Sequence, residues 1–248
     1  MRSLSTPQRL QLLVVSSVVL HGCLLRAQQP FLTETQWTQM RDETSGMAPY
    51  ENLRSLTRLH RVPATPEFDQ AAELILMRAR EYGLQDAHTE QFPIDGKIHY
   101  GLMRSHLAWR VEAASLWELA PEHTLLGDWA TDPIRLADYS HSADADRPLV
   151  DVGQGTSEAD YSGKDVQGKI VLADGALATV QRMAVTQHGA VGIVSDMPNQ
   201  ATAWSGLDTS IVRWGHLDAL LPSGFAFMVS RATATALRAQ LSSGQPVT

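Results

Sequence analysis

The fold is decided by a glycine-punctuated stretch in the second half of the chain, residues 148–195. It begins with Pro148-Leu-Val-Asp-Val-Gly-Gln-Gly155, continues as Asp160-Tyr-Ser-Gly-Lys-Asp-Val-Gln-Gly-Lys-Ile-Val-Leu-Ala-Asp-Gly175, and ends with His188-Gly-Ala-Val-Gly-Ile-Val-Ser195. The pattern predicts a strand, an Asp-rich turn, a second apolar strand, a helix to about Gln187 and a third strand. Gly189 suits the position after a helix, where φ is positive, and Gly192 permits close backbone packing.

Around this stretch the chain alternates short apolar runs with turn residues. The predicted strands are 109–119, 134–136, 148–152, 169–173, 191–195 and 225–229, and the predicted helices are 176–187 and 232–241. Strands mixed with a few helices predict an α+β or β-rich domain rather than a repeated βαβ array.

The residues before about 93 have a helical texture. Thr33 is suited to cap a helix that runs to Thr44, with Gly46 as its end. A second apolar face has helical spacing and consists of Tyr50, Leu53, Leu56 and Leu59.

The third helix has the clearest signals for its start and its end. Thr65 is its expected N-cap, Pro66 occupies the first helical position, and Gly83 follows its end. Its predicted buried stripe consists of Phe68, Ala72, Ile75, Leu76 and Ala79. A half-buried strand over residues 87–92 is expected next, and the boundary to the second half falls near residues 93–106.

The first thirty residues predict an export signal. Arg2 and Arg9 precede an apolar run of about 11 residues that is too short to span a bilayer, which takes roughly 20. We expect cleavage after Ala27 and a periplasmic or extracellular protein without a membrane span. Lipidation at Cys23 is the alternative, because a Gly-Cys step follows the apolar run.

The composition excludes several functions. Hydrophobic residues make up 44% of the 248 residues and the net charge is −7, which is typical of an acidic globular protein. An acidic surface repels phosphate, so nucleic acid is not an expected partner. Cys23 is the single cysteine, so the mature chain has no thiol for a disulfide or a metal site.

The glycine motifs resemble the protease-associated domain. The resemblance rests on Asp165-Val-Gln-Gly-Lys-Ile-Val-Leu172, on Gly189-Ala-Val-Gly-Ile-Val194 and on the closing segment 228–247, and it covers about residues 106–247. An unrelated α+β domain with ordinary glycine turns is the alternative.

The order of the parts before that domain narrows the resemblance. Two to three helices, the segment Asp69-Gln-Ala-Ala-Glu-Leu74 and a strand with Glu90 resemble the N-terminal part of secreted zinc aminopeptidases and glutamate carboxypeptidase-like proteins. The resemblance implies an α+β fold: N-terminal helices plus the first strand of an α/β peptidase domain, followed by a β-rich protease-associated domain. The implied divisions are a signal peptide at 1–27, a helical peptidase part at 28–105 and a protease-associated domain at 106–248.

The resemblance also implies two zinc ions, about 3.5–4 Å apart, in a full-length relative. The family holds them with a His and an Asp at one strand end, a bridging Asp, a Glu–Glu pair, and a final Asp and His. Gly215-His-Leu-Asp218 imitates the first of these, but Arg213-Trp214 precede it where the family has an apolar run. The 30 residues after Asp218 contain no His, Asp or Glu. We therefore expect His216 and Asp218 to form a polar loop and this chain to contain no catalytic, cofactor-binding or metal-binding residue.

The remaining candidates have structural interpretations. The isolated histidines are expected to serve surface or structural roles: His60, His88, His99, His106, His123, His141 and His188. The acidic stretch 138–146 lacks the spacing of a calcium loop and is expected to be a solvated turn. The tryptophans are expected to include core anchors and a peptide-contacting surface: Trp109, Trp117, Trp129, Trp204 and Trp214.

Two functions follow as hypotheses. The first is the N-terminal portion of an exported zinc aminopeptidase-type exopeptidase, a hydrolase whose chemistry lies beyond Thr248, with peptide substrate or the missing peptidase half as partner. The second is a stand-alone, non-catalytic protease-associated module that binds peptides or a protein.

Overall fold

The computed structural model describes residues 31–44, 46–198, 208–221 and 224–248. The predicted signal at 1–27, with Cys23, lies outside the described residues, and so does Trp204. The chain divides into two compact units, 1–57 and 58–248. Within the described ranges, no helix combines the length and the apolar character that a membrane crossing requires.

The first unit contains helices α1 (Glu34–Glu43) and α2 (Met47–Leu56). The predicted cap at Thr33 is confirmed: its hydroxyl accepts from the Gln36 amide at 3.2 Å, and its own amide donates to the Gln36 side chain at 2.9 Å. The predicted apolar face of the second helix is shorter than expected, because α2 ends before Leu59. Neither helix buries a residue.

Helix α3 (Pro66–Glu81) is the first described helix of the second unit. Its predicted ends are confirmed: the Thr65 hydroxyl accepts from the Phe68 amide at 3.3 Å, and Gly83 has a φ of +81°. Its predicted buried stripe is wrong in part, since Phe68 and Ile75 are 42% and 56% exposed and Ala71 is the buried position. Ala72, Leu76 and Ala79 are half-buried. The described residues leave the face of Phe68 and Ile75 open.

The strand predicted over residues 87–92 is not formed. A β-strand needs hydrogen bonds to a neighbouring strand, and this segment pairs with no strand among the described residues. A short hairpin follows it instead, formed by β1 (His99–Tyr100) and β2 (Met103–Arg104) around Gly101. Gly101 has a φ of +63°, which a two-residue hairpin turn requires.

A second hairpin consists of β3 (Ser115–Glu118) and β4 (Thr124–Asp128). The strand predicted over 109–119 is therefore shorter than expected, and β4 was not predicted. The strand predicted over 134–136 is wrong, because Pro133–Arg135 forms a 3₁₀ turn. Proline fixes φ and has no amide donor, which favours a turn at this point.

The main sheet contains β5 (Leu149–Gly153), β6 (Ile170–Ala173), β7 (Gly192–Ser195) and β8 (Phe225–Met228). Its order is β5-β6-β7-β8, and all three pairings are parallel. All four strand positions agree with the prediction to within one or two residues. One βαβ connection is present, since a helix joins the parallel strands β6 and β7, whereas a 3₁₀ turn lies between β5 and β6.

Helices cover both faces of this sheet. Helix α4 (Leu177–Val180) continues as π-helical turns over Gln181–Gln187, and α5 (Arg231–Ser242) follows β8. One sheet face packs with α4 and its continuation, through Val171, Ile193, Ala226, Met228, Val180 and Ala184. The other face packs with α5, through Leu172, Val194, Phe227, Ala234 and Leu237. Burial on both faces explains the nearly continuous apolar runs of β6 and β8.

Two glycines fix how α4 returns to the sheet. Gly189 has a φ of +72°, as predicted for the residue after a helix. A methyl group at Gly192 would overlap the Phe225 ring, so the predicted need for a residue without Cβ at that position is confirmed. The motif that predicted three strands therefore also leaves room on β7 for the Phe225 ring of β8.

Candidate functional site

A cleft of about 970 Å³ lies beside the main sheet in the second unit. Its apolar floor consists of Leu136, Ile170, Phe225 and Phe227. Its walls come from three segments, 109–117, 128–130 and 140–147, and they include Trp109, Trp117 and Trp129. We call this concavity the tryptophan cleft. The rigid part of the site is its floor, because Phe225 and Phe227 belong to strand β8.

The tryptophans are held in a connected aromatic cluster. The rings of Trp109 and Trp129 meet edge to face at 6.2 Å between centroids, and Trp109 donates from Nε1 to the Ser140 carbonyl at 3.0 Å. The Ser140 hydroxyl in turn donates to the Ala137 carbonyl at 2.7 Å. These contacts tie the walls to one another and to the residues beside the sheet.

Trp117 has a different environment on the rim. Its side chain is 42% exposed, its ring lies 5.0 Å from that of His123, and its Nε1 donates to the Ser115 hydroxyl at 3.2 Å. Since these partners lie on the same hairpin, Trp117 presents ring surface to the cleft without supporting the core.

The charged residues of the cleft are mostly acidic. Its lining contains four carboxylates, from Glu112, Asp128, Asp144 and Asp146, and two guanidinium groups, from Arg110 and Arg147. The Asp128 carboxylate is engaged with the Ala130 amide at 2.8 Å. The other three carboxylates are exposed and take part in no ion pair among the described residues.

A buried histidine–aspartate pair lies behind one wall. His60 Nε2 is 3.7 Å from Asp138 Oδ1, and neither of these two buried atoms has a hydrogen-bond partner among the described residues. The other Asp138 oxygen accepts from Trp214 Nε1 at 3.1 Å, and the His60 ring meets Trp129 edge to face at 5.0 Å. Burial and the charge of Asp138 together raise the pKa of the neighbouring Tyr139 hydroxyl.

His216 and Asp218 are placed on a polar loop next to this pair. Both are exposed, and the His216 ring packs edge to face on Trp214 at 5.0 Å. The Asp218 carboxylate accepts from the Leu220 amide at 2.9 Å, while its backbone amide donates to the Gln181 side chain at 2.7 Å. The carboxylate thus caps a turn.

The described residues do not fit the dinuclear zinc site that the family resemblance implies. The described residues contain no group of three or more His, Cys, Asp or Glu side chains placed to hold a metal. The acidic stretch 138–146 is split as well, since Asp138 is buried while Asp144 and Asp146 are exposed. No chemistry is therefore derived through zinc in this chain.

A second electrostatic feature, which has no sequence signature, lies at the carboxyl end of β7. Asp196 is 1% exposed at its side chain and accepts two hydrogen bonds from Arg238 of α5, at 3.1 and 2.9 Å. Burial alone would lower the pKa of the Arg238 guanidinium, but the hydrogen bonds and charges of Asp196 and Asp151 outweigh it and raise that pKa. The pair fixes α5 to the sheet. The sequence places its two members far apart, and no motif links them.

The histidine–aspartate pair was also missed. His60 was expected to have a surface or structural role, and its imidazole faces the Asp138 carboxylate. His188 stacks on Tyr161 at 4.4 Å and lies 3.1 Å from Glu158, in keeping with a structural position at the end of a helix. Neither contact has a signature in a single sequence, because both join segments that only the fold brings together.

Comparison with protein-family models finds no match, and comparison with curated proteins finds none either. Among solved structures, the chain is similar to an aminopeptidase from Aneurinibacillus sp. strain AM-1, with 20% identity, a TM-score of 0.42, and coverage of 83% of this chain and 43% of that one. A peptidase M28 precursor from Shewanella amazonensis SB2B gives 13% identity, a TM-score of 0.44, and coverage of 80% and 44%. A zinc aminopeptidase from Bacillus subtilis gives 17% identity, a TM-score of 0.45, and coverage of 79% and 41%.

The chain spans less than half the length of each of these three structures. Because the identities and TM-scores are this low, the activity of the three enzymes does not transfer to this chain on structural grounds.

Proposed function

We propose that this chain is the N-terminal and protease-associated portion of an exported zinc-dependent exopeptidase of the aminopeptidase type. In this proposal residues 1–27 are the export signal, 28–105 belong to the peptidase domain, and 106–248 form the protease-associated domain. The portion contributes scaffolding and substrate access, and the catalytic half is not contained in it. Zinc belongs to the full-length enzyme and is not bound by this chain.

The observation that carries the proposal is the way the glycine motif is built. Residues 165–195 form a turn, a buried strand, a helix and a second buried strand, in the order that the resemblance to the protease-associated domain implies. Gly168 and Gly189 have positive φ, and Gly192 lies against Phe225. Each residue type that carries the resemblance therefore has a physical role in this fold.

The open face of α3 supports the peptidase part of the proposal. Phe68 and Ile75 share one face and are each more than 40% exposed on a helix with well-formed ends. Exposed apolar surface of this kind is typical of a surface that another part of a protein covers. In the proposed full-length enzyme, that cover is the peptidase sheet.

Two measurements test the proposal. The purified 248-residue chain is assayed for bound zinc and for hydrolysis of a leucine anilide, and the gene is sequenced past the codon for Thr248. We expect neither zinc nor hydrolysis, and a reading frame that continues into a Gly-x-His-x-Asp and Glu–Glu pattern. Stoichiometric zinc in the 248-residue chain would contradict the placement of His216 and Asp218 on a polar loop.

A stand-alone binding module is the second candidate, and the tryptophan cleft favours it. A cleft with aromatic walls is suited to peptide binding whether or not a catalytic half follows. A stop codon directly after Thr248, with peptide binding by the isolated chain, would support this candidate over the first.

A further inference from the structure

The tryptophan cleft has the size and lining of a binding site for more than a single ion. Its volume of about 970 Å³ lies near the upper end of the roughly 300–1,000 Å³ typical of ligand sites. The floor is apolar, with Phe225 and Phe227 of β8 in it, while the walls carry three indole rings. A ligand that fills it therefore needs apolar or extended parts as well as a polar group.

The charge of the cleft selects among such ligands. With four carboxylates and two guanidinium groups in the lining, the cleft has a net charge of −2. Glu112, Asp144 and Asp146 are exposed, and the Arg147 guanidinium is directed to the Asp146 carbonyl at 2.8 Å. An anionic ligand would meet repulsion here, whereas a cationic one would gain from the unpaired carboxylates.

Indole rings next to carboxylates favour a cation with an apolar stem. A Lys ammonium or Arg guanidinium is attracted to the face of a tryptophan ring, and the methylene groups of both side chains pack on apolar surface. Trp117 offers such a face, since its side chain is 42% exposed and its polar atom is already bonded to Ser115.

We infer that the tryptophan cleft binds a basic peptide segment, with a Lys or Arg side chain against Trp117 and the rim carboxylates. The inference rests on the proposed function for one point only, that the ligand is a peptide. It concerns binding and requires no hydrolysis, so it can fail while the exopeptidase proposal stands, and the reverse also holds.

The test is calorimetric titration of the full chain with three short peptides of equal length, containing Lys/Arg, Gln or Glu at the same positions. We expect the basic peptide to bind at least 10-fold more tightly than the acidic one, and the difference to shrink as salt is added. Equal affinities for the three peptides, or tighter binding of the acidic one, would overturn the inference.

Variants locate the binding to the cleft. Trp117→Leu keeps an apolar residue on the rim and is expected to weaken the basic peptide about 3- to 10-fold, since cation–π contacts have this strength. Glu112→Gln with Asp144→Asn is expected to reduce the preference for basic over acidic peptide by a similar factor. Glu73→Gln removes one exposed carboxylate from α3, outside the cleft, and serves as the control.

The same variants would also show whether the basic peptide binds outside the cleft. Basic-peptide affinity that follows only the total charge, so that Glu73→Gln weakens it as much as one rim substitution and Trp117→Leu has no effect, would overturn the inference. Circular dichroism of each variant confirms that the fold is retained, and Trp117→Phe is expected to restore part of the affinity if Trp117→Leu has lost it.

Discussion

The main sheet and the α3 region (residues 65–107) use apolar residues in opposite ways. Strands β6, β7 and β8 are buried at every position and packed on both faces by helices. In the α3 region Phe68, Ile75, Phe92 and Met103 are each more than 40% exposed. The stability of the described chain is therefore concentrated in the sheet and its two covering helices, while the α3 region displays apolar surface that does not contribute to it.

The largest expected effect concerns the buried ion pair that ties α5 to the sheet. Arg238→Met removes both hydrogen bonds to the buried Asp196 carboxylate and leaves Arg231, at 3.8 Å, as its remaining ion partner among the described residues. We therefore expect the free energy of unfolding to fall by about 3 kcal/mol, the low end for a broken buried ion pair. Urea denaturation measures the loss. The matched control is Arg78→Met in α3, whose pair with Glu81 lies at the surface and is worth about 0–1 kcal/mol. Equal losses for the two variants would contradict the contrast between the regions.

The second effect concerns Gly192 of β7, which lies against the Phe225 ring of β8. Gly192→Ala places a methyl group against the Phe225 ring and is expected to cost about 1–3 kcal/mol through overpacking. Replacing the ring with the smaller leucine side chain, in Phe225→Leu, is expected to make room for that methyl group. The double variant should then lose less stability than the sum of the two single ones, as a double-mutant cycle by urea denaturation would show. Simple additivity would mean that the two positions do not touch.

The third effect depends on pH and comes from Tyr161, which is buried beside β5 and donates to the Gly155 carbonyl at 2.8 Å. Burial, followed by the charges of Asp160 and Glu158, raises the pKa of its hydroxyl from 10.0 to about 12. The folded state thus holds this proton more tightly than the unfolded state. The stabilising contribution of the Tyr161 proton is fully present below about pH 10 and is lost as the pH rises from about 10 to about 12.

Urea midpoints measured across this alkaline range test the effect of Tyr161. Tyr161→Phe loses the hydrogen bond to Gly155 at neutral pH but should show a shallower alkaline decline than the parent chain. A decline of the same slope in both proteins would assign the alkaline loss to other groups.

The fourth effect is local to the start of α3. Thr65→Ala removes the hydroxyl that accepts from the Phe68 amide and is expected to cost about 1 kcal/mol, as N-cap losses typically do. Thr65→Ser keeps the hydroxyl and should recover most of the stability that Thr65→Ala loses, which urea denaturation can measure. If serine and alanine destabilise equally, packing around the buried Thr65 rather than the cap determines the stability of the helix start.

The sequence predicted the strands of the sheet better than the α3 region, because the strands follow from local signals whereas pairing and burial depend on distant segments. The strands β5 to β8 and the ends of α3 follow from local signals: apolar runs, Thr65-Pro66, and glycines such as Gly189 with a required φ. The parallel pairing was missed because the 3₁₀ turn between β5 and β6 does not resemble the helices of a repeated βαβ array. The strand expected over 87–92 was wrong because a strand also needs a partner, which the described residues do not supply.

The site was only partly predictable for the same reason. The tryptophans differ in their environments, since Trp109 and Trp129 are partly buried in a cluster and Trp117 lies on the rim, and the sequence does not tell these positions apart. The pairs His60–Asp138 and Asp196–Arg238 have no local signature, because each joins segments distant in sequence. Periodicity also placed Phe68 and Ile75 on a buried face, although it reports only which residues share a face and not whether that face is covered.

The smallest expected effect is also the most direct test of the contrast between the two regions. Ile75 and Ile193 have the same side chain, but the first is 56% exposed on α3 and the second is fully buried in β7. Ile75→Ala removes little buried surface and is expected to change the free energy of unfolding by no more than about 0.5 kcal/mol. Ile193→Ala, its matched control, leaves a cavity between sheet and helix and is expected to cost about 2–5 kcal/mol. Urea denaturation of both variants decides the matter: a loss at Ile75 comparable to that at Ile193 would mean that the open face of α3 is covered in solution.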